Sequence, residues 1–550
     1  MKKQLGIGSI FLVFVAIVLS NTSCSVSVTE TEETAADNSQ SKGKQTSLSE
    51  KAGLKKSPKD SGATEDTAGQ RESSDKTAID SATTDEKWSG TPEVAPILPP
   101  DSLGTNQDDF NNLAWQEFIA LNWIADPKVP GQPDPTVQAN DFGTPNDLRP
   151  VVWESYKEAS EVFLPDGKKP APWGEPQQLP TQFQQLVPDG KLASTSRFGV
   201  KGLIGSNKFS STTRLDLSEF GEAGTDCSWL TAQAKFNNNI TLFEKRMNED
   251  EFNYIYQNQL YDAAIQQTFA VSPGINLPDG SPAFDKYGKV GAIEIKASWI
   301  QIDDSSLWPL FKTSKAWVTY PTDKGNGKPT TPKLVTVGLV GLHIIHKTQK
   351  ANQFVWATFE HVHNCPSTQD IARKELLPWY TYYNADCNSE TDYYQCRQNA
   401  QPKFGTSLLH APIQVVRTQP ISSTTTNNIQ ALNQSVWNTI KKSNDKSVFL
   451  NYRLVNVLWP NSNTKIPPNS KTPLPSGNPQ PPNQIVANTT LETYHQNLNC
   501  MDCHRNAPIA SIASYTASLK ITKAKAGSGS TLASDYSFLF MNAQTSKENK

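Results

Sequence analysis

The sequence predicts an α+β fold that is rich in β-structure: a large, mainly antiparallel sheet with packed helices, followed by a small helical C-terminal segment. Two observations predict it. From about residue 240 onward, short segments that alternate apolar and polar residues follow one another, as in strands that pair with their neighbours. The helical patterns are irregularly placed and separated by long proline-rich loops, which argues against compact βαβ crossovers.

The first 24 residues have the pattern of a bacterial export signal. Lys2 and Lys3 precede an apolar run that is too short to span a bilayer comfortably, and small residues then lead to Cys24. Cys24 resembles the lipid-modified residue of bacterial lipoproteins, and Ser25 after it implies the outer membrane by the same resemblance. We therefore expect an exported protein, either periplasmic or anchored to the outer membrane through a lipid at Cys24.

Residues 25–98 are expected to form a disordered tether. Ser, Thr, Ala and charged residues dominate this segment, and Trp88 is its first aromatic residue. Such a composition buries too little apolar surface to offset the loss of chain entropy. The whole chain has a net charge of −3 and a pI of about 6.2. Nucleic acid is excluded as a partner because it would require a basic face.

Two helices are expected at the start of the folded body, which should span residues 99–458. Thr105 and Asp108 have the spacing of a capping box, and apolar residues recur at helical spacing as far as Leu121. A second helical pattern runs from Pro150 to Phe163. Both apolar faces are predicted to pack on the core.

The remainder of the body predicts mainly strands. Asn248 is predicted to cap one further helix, which carries Phe252, Ile255 and Leu260. A short polar turn joins two strands into a hairpin, 334–346 with 354–361. The predicted strands are 240–247, 293–299, 316–320, 334–346, 354–361 and 448–458.

The C-terminal part contains the motif with the clearest chemistry. Residues 459–485 are rich in Pro, Asn and Ser and predict an extended linker, and Thr489 and Glu492 predict the cap of a short helix in the segment 486–550. Cys500-Met501-Asp502-Cys503-His504 follows. Cys-x-x-Cys-His is the attachment signature of c-type haem, in which both thiols join the porphyrin and the histidine binds the iron. A redox dithiol or half of a zinc site are the alternatives, but no second ligand pair follows in the tail.

Several segments resemble a family of large exported bacterial proteins described as cytochrome c family proteins. The resemblance spans most of the folded body and implies one covalent haem c at the C-terminus, without implying a substrate. The segments that carry it are LAWQEFIALNW (113–123), ExRMN (244–248), IEIKASW (293–299), GLHIIHKT (341–348), WATFEH (356–361), NCMDCH (499–504) and SDYSF (534–538).

The second axial ligand of the iron would decide between electron transfer and catalysis. Met541 is a candidate because no other methionine follows the motif, although it could equally fill a gap in the core. Histidines compete with it. His343 and His346 should lie on opposite faces of one strand, so only one of them could reach a given iron. His361 and His363 share a face and could join a small metal site or simply be satisfied strand histidines. His495 could pack near the porphyrin, and His410 has no constellation around it.

The other cysteines suggest disulfides in an oxidising compartment. Cys227, Cys365, Cys387 and Cys396 allow two disulfides with three pairings, of which Cys387–Cys396 closes the shortest loop. A further set of charged residues, Glu294, Lys296 and Glu360, lies on strands. Alternation places such residues on a solvent-facing side of the sheet.

Together these features predict an exported monohaem c-type cytochrome that passes single electrons to or from a redox partner protein. One alternative is a haem enzyme of peroxidase or oxidase type with an open distal site, to which His343, His346 or His361 could contribute. Another is an envelope binding module with an accessory or sensory haem. The sequence leaves open whether the protein is an enzyme.

Overall fold

The computed structural model describes residues 88–176, 202–204, 229–319, 332–387, 396–401, 412–460, 464–477, 484–511 and 531–546. All of them fall within one compact unit, Lys87–Lys550. Its strands are β1 (Lys157–Glu158), β2 (Gly202–Ile204), β3 (Leu242–Met247), β4 (Ile293–Gln301), β5 (Thr313–Thr319), β6 (Lys333–Thr348), β7 (Ala351–His361) and β8 (Tyr452–Leu458). Its α-helices are α1 (Gln107–Leu121), α2 (Ala159–Val162), α3 (Glu249–Gln257), α4 (Ala263–Val271), α5 (Thr368–Arg373), α6 (Ile429–Ser443) and α7 (Cys500–His504).

The described strands form one sheet, which confirms the predicted α+β class. Every pairing is antiparallel except β2 with β5. The long strand β6 pairs with β4 along one edge, and with β5 and then β7 along the other. Since β2 also joins β3 to β5, the strands β3, β4, β6, β5 and β2 close into a ring. The predicted hairpin is β6–β7, and its strands extend further into the turn than the sequence predicts.

Helix α1 packs on one face of the sheet, as its apolar pattern predicts. Phe118 stacks on Phe359 of β7 with ring centroids 4.4 Å apart, and Trp115 meets the same ring edge-on. The cap is Asn106 rather than Thr105: its side chain accepts from the backbone N–H of Asp109, whose carboxylate accepts from Asn106 in return. The capping box is therefore shifted by one residue from the predicted position.

The predicted helix from Pro150 to Phe163 is wrong as a single element. The chain forms a 3-10 turn at Val152–Ser155, then the short strand β1, and then α2. Lys157 of β1 pairs with Met247, so the edge of the sheet takes the backbone hydrogen bonds that a continuous helix would have used.

The folded unit begins earlier than the predicted boundary at residue 99. Trp88 is only 6% exposed and belongs to the main hydrophobic core, and Val94, Ile97 and Leu98 pack against that core. A tryptophan buries enough apolar surface to hold an otherwise polar segment. The export signal, Cys24 and most of the predicted tether lie outside the described residues. Among those described, no helix combines the length and hydropathy of a membrane span.

Candidate functional site

The second face of the sheet carries a row of basic side chains. Lys245, Lys296 and His343 are direct neighbours across β3, β4 and β6. Two residues along, Glu294, Ile345 and Trp356 form the adjacent row on β4, β6 and β7. Side chains that are directly opposite in antiparallel strands lie on the same face, so both rows look in one direction.

The C-terminal segment covers these rows. Glu294, Lys296, Ile345 and Trp356 are buried, and Lys245 and His343 are half-buried. Asn488 donates from Nδ2 to Thr358 Oγ1 at 2.9 Å, and the hydroxyls of Thr490 and Ser298 are 2.6 Å apart. His343 Nε2 lies 3.0 Å from Glu492 Oε1. The segment that the sequence separates from the body is thus hydrogen-bonded to the sheet.

The prediction that Glu294, Lys296 and Glu360 face solvent is wrong, because the C-terminal segment covers that side of the sheet. Glu294 and Lys296 are each 8% exposed, and Glu360 is fully buried, where it binds the guanidinium of Arg417 and the backbone N–H of Thr489. Alternation correctly identifies the polar side of the strands, but it carries no information about a segment that packs there from far along the chain.

The short helix predicted from Thr489 is also wrong. Residues 489–499 form successive turns, and the carboxylate of Glu492 reaches back to the backbone N–H of Asn488 at 2.7 Å instead of capping Thr489. The side chain of Asn488 accepts from the backbone N–H of Thr490. Bonds to the sheet at Asn488, Thr490 and Glu492 therefore replace the predicted helical pattern.

A cavity of about 900 Å³, counted to its open mouth, lies between the sheet and this cover. The apolar lining comes from Ile295, Ile345, Trp356, Ala357, Val486, Leu498, Phe538 and Leu539. The polar lining comes from Lys245, Glu294, Lys296, His343, Glu492, His495, Asn499, Cys500, Cys503 and His504.

Helix α7 brings the Cys-x-x-Cys-His residues to this cavity. Asn499 caps it by accepting from the backbone N–H groups of Met501 and Asp502, and Asp502 accepts from Asn499 in return. One helical turn places Cys500 and Cys503 on the same side. Neither cysteine is in a disulfide, both are half-buried, and burial raises the pKa of Cys500 well above its usual value. Cys500 therefore lacks the lowered pKa of an activated nucleophile.

His504 is oriented by a backbone carbonyl. Its Nδ1 lies 2.8 Å from the carbonyl oxygen of Tyr536, which can only accept, so Nδ1 carries the proton. In the neutral imidazole, Nε2 then holds the lone pair. The rings of Trp356 and Phe538 pack against the imidazole, with centroids 4.4 and 4.9 Å away.

Two residues in left-handed backbone conformation aim that carbonyl. Asp535 has φ 57° and Tyr536 has φ 69°, a region that residues other than glycine adopt at a cost. Two contacts hold them there: Lys347 Nζ pairs with the carboxylate of Asp535, and Tyr536 donates its hydroxyl to the carbonyl of Pro475 at 2.7 Å.

A group of buried carboxylates includes Glu294, which lines the cavity, and its neighbour Glu251. Glu251 is fully buried, neither of its oxygens accepts a hydrogen bond from a described residue, and Glu294 and Asp535 lie close enough to act on its charge. Desolvation first, and then the charge of Glu294, raise the pKa of Glu251 well above its usual value. Because two ionised carboxylates can only accept, Glu251 and Glu294 can bond to each other only through a proton.

Several predicted candidates lie elsewhere. His346 bonds to Glu117 of α1 on the opposite face of the sheet, which confirms that it and His343 point apart. His361 is buried between Phe311 and Tyr452 with Nε2 on the carbonyl of Leu310. Met541 is half-buried and is not among the described residues that line the cavity.

Of the two alternatives for His361 and His363, the described residues show hydrogen-bonded histidines and no small metal site. His363 stacks on Trp379 with centroids 4.0 Å apart, and its Nδ1 meets the carbonyl of the same residue. No group of three or more His, Cys, Asp or Glu side chains in the described part of the chain is arranged to hold a metal ion. His410 lies outside that part.

One predicted disulfide is confirmed. Cys387 and Cys396 are joined, whereas Cys365 is a free and fully buried thiol, which removes it from the predicted set. Its Sγ is enclosed beside Glu360 and Arg417, and desolvation raises its pKa to about 11. Cys227 lies outside the described residues.

The sequence interpretation did not identify Lys245, Trp356 and Glu492 as residues of the cavity, nor most of its apolar lining. Their only sequence signal is their position on strands or in a cap pattern, since strand register and the docking of the cover decide what they face. Comparison of the chain with models of known protein families, with curated proteins and with solved structures gives no match. Function must therefore be inferred from the residues that line the cavity.

Proposed function

We propose that this protein is an exported monohaem c-type cytochrome, which holds one covalent haem c in the cavity and exchanges single electrons with a redox partner protein. One observation carries the proposal: Cys500, Cys503 and His504 line the same cavity, and its apolar lining suits a flat hydrophobic cofactor. Haem bound there would supply a one-electron Fe(III)/Fe(II) couple.

The donor set fits this group. Cys500 and Cys503 would hold it through thioether bonds, and His504, fixed in the Nδ1–H tautomer by the Tyr536 carbonyl, would offer Nε2 to the iron. Trp356 and Phe538 restrain the imidazole from two sides. A hydrogen bond from the ligand's second nitrogen increases its basicity and fixes its orientation, as is common for metal-binding histidines.

The rest of the lining supports the proposal through charge and dielectric. Ile345, Trp356 and Leu539 exclude water from the apolar part of the cavity. Lys245 and Lys296 place ammonium groups in the lining, which suits the two propionates of a haem. The predicted export signal and the candidate lipid at Cys24 suit haem attachment outside the cytoplasm, and the tether would leave the folded unit free to meet its partner.

The test is an absorption spectrum, oxidised and reduced, and a haem-stained denaturing gel of the full chain, made in a periplasm that contains haem-attachment machinery. We expect haem to stay on the denatured wild-type chain and to be lost from the gel in the Cys500→Ala/Cys503→Ala variant. Cys365→Ala is the matched control, since Cys365 is a buried thiol outside the cavity, and it should retain haem. A wild-type chain without bound haem would refute the proposal and leave the binding-module hypothesis.

A further inference from the structure

Of the described histidines, three line the cavity: His343, His495 and His504. They reach it from two different walls. His343 belongs to β6 in the sheet, whereas His495 and His504 belong to the segment that covers the sheet. The two axial ligands of a haem approach the iron from opposite faces of the macrocycle. His343 is therefore the lining histidine whose wall differs from that of His504.

We propose that His343 is the second axial ligand of the haem and that Glu492 is the residue that positions it. This inference rests on the proposed function, because it requires haem in the cavity. It assigns bis-histidine coordination to the iron, with one ligand from the sheet and one from the cover.

The hydrogen bond between His343 and Glu492 prepares the imidazole for this role. The carboxylate accepts at Oε1 from Nε2, 3.0 Å away, so Nε2 carries the proton and Nδ1 of the neutral ring keeps the lone pair. Metal-binding histidines commonly donate their other ring N–H to a carboxylate, which sets the tautomer and the ring orientation. Glu492 would act on His343 as the Tyr536 carbonyl acts on His504.

Glu492 is itself held in place. Its second oxygen accepts from the backbone N–H of Asn488 at 2.7 Å. Asn488 in turn donates to Thr358 Oγ1 and to the carbonyl of Phe359, both at 2.9 Å. The carboxylate is thus tied to β7, the strand next to the one that carries His343, and a ligand supported by strands keeps its geometry better than one on a loop.

The other candidate ligands are placed less favourably. His495 lies five residues before Cys500 in the covering segment, on the same wall as His504. Met541 lies outside the cavity lining, and His346 bonds to Glu117 on the opposite face of the sheet. Coordination by His343 would occupy the sixth position of the iron, so the site would favour electron transfer over reaction with a small substrate.

The experiment is absorption and electron paramagnetic resonance spectroscopy of the full-length holoprotein in both oxidation states. Wild type should be six-coordinate and low-spin, without the near-infrared band of a methionine–iron bond. His343→Ala should become high-spin in the ferric state, and added imidazole should restore the low-spin spectrum. His343→Met should remain low-spin and gain the methionine–iron band, which provides a second test if the alanine variant folds poorly.

Two variants separate the roles of neighbouring residues. His495→Ala is the matched control from the other wall and should keep the wild-type spin state. Glu492→Gln should also stay low-spin but shift the reduction potential upward, because a weaker acceptor makes His343 less basic and stabilises ferric iron less. Loss of the carboxylate's charge from the lining also raises the potential, so the part that acts through the ligand is measured by repeating Glu492→Gln in the His343→Met background, where the shift should be smaller. Equal shifts in the two backgrounds would mean that Glu492 does not act through His343.

The outcomes distinguish this inference from the proposed function. A low-spin ferric spectrum in His343→Ala without added imidazole, or a high-spin wild type, would overturn the axial assignment while the haem proposal stands. A wild-type chain that carries no haem would overturn both. Loss of the low-spin state in His495→Ala, with His343→Ala unaffected, would assign the ligand to the covering segment instead.

Discussion

The imidazole of His504 donates from Nδ1 to the backbone carbonyl of Tyr536 at 2.8 Å, across 32 residues of sequence. Next to this carbonyl, Asp535 pairs with Lys347 at the end of β6, and its carboxylate also accepts from the backbone N–H of Leu277 at 2.6 Å. The orientation of the motif histidine thus depends on a tail segment that is locked to the sheet by a buried ion pair.

Asp535→Asn should lower the free energy of unfolding by about 3 kcal/mol, because removing one partner leaves a buried charge without its counter-ion. The side chains of Lys347 and Asp535 are 1% and 0% exposed. Urea denaturation followed by tryptophan fluorescence measures the change. The control is Asp101→Asn, which removes the partner of Lys350 in a 3.7 Å pair that is 36% exposed on the lysine side. Asp101→Asn should lower the free energy of unfolding by less than about 1 kcal/mol. Equal costs in the two variants would contradict the prediction.

Glu251→Gln should stabilise the protein increasingly as the pH rises from 5 to 8. Burial raises the pKa of Glu251 in the folded state above its ordinary value of 4.5. Below about pH 4.5 the proton on Glu251 makes its full favourable contribution to the free energy of unfolding. This contribution is lost as the pH rises through the pKa of the folded state. The amide stays neutral and can donate to Glu294. The free energy of unfolding of the variant should therefore exceed that of wild type by about 1 kcal/mol or more at pH 8.

Denaturant midpoints of Glu251→Gln and wild type, compared at half-unit steps of pH, give this difference. Glu375→Gln changes a carboxylate that is 65% exposed, and its difference from wild type should stay flat over the same range. A flat profile for Glu251→Gln would show that Glu251 is ionised in the fold.

His361→Gln should reduce the acid sensitivity of the protein. Burial lowers the pKa of His361 from 6.5 to about 3, so the unfolded chain binds a proton in this interval that the folded chain does not. Wild-type stability should therefore fall as the pH drops below about 6.5, with a slope of up to about 1.4 kcal/mol per pH unit from this residue. Glutamine can keep the hydrogen bond to the Leu310 carbonyl but does not titrate.

The measurement is the stability difference between His361→Gln and wild type from pH 7.5 to 4. It should be constant above pH 7 and shift in favour of the variant at lower pH. Parallel stability curves throughout would mean that the wild-type imidazole accepts a proton inside the fold.

Thiol mapping should distinguish Cys365 from the pair Cys387 and Cys396. In denaturant without reductant, an alkylating reagent should modify Cys365 and spare the pair, which should react only after reduction. Replacing both paired cysteines by alanine should lower the free energy of unfolding by about 2 to 3 kcal/mol, as expected for a short closed loop. Peptide mass spectrometry identifies the alkylated cysteines. Alkylation of Cys387 before reduction would refute the predicted difference.

Local patterns predicted much of the fold. Asn248 caps α3 as expected, because its side chain accepts from the backbone N–H of Glu251, three residues away. The β6–β7 hairpin follows from alternation and a short turn. The disulfide Cys387–Cys396 lies within a short stretch of chain. In each case the interacting residues are close in sequence, so the pattern itself contains both partners.

Predictions failed where a distant partner outweighed the local signal. The helical pattern after Pro150 yields to pairing of β1 with β3, and the cap pattern at Thr489 yields to the bonds that Asn488 and Glu492 make with the sheet. Such contacts join residues that are separated by about ninety positions or more, as for Lys157 with Met247. Propensity is a weak signal that tertiary contacts of this kind override.

The sequence by itself determined the Cys500-Met501-Asp502-Cys503-His504 motif, the polarity of each strand face and the α+β class, because residues near one another in the chain carry these features. Only the tertiary structure decided that the polar face bearing Glu294, Lys296 and His343 is covered, and that the cover is the segment which carries the motif. The physical reason is that burial depends on which surface packs against which. That choice is made by the summed free energy of contacts between parts of the chain some 150 to 200 residues apart, for example 149 residues between His343 and Glu492 and 192 between Ser298 and Thr490.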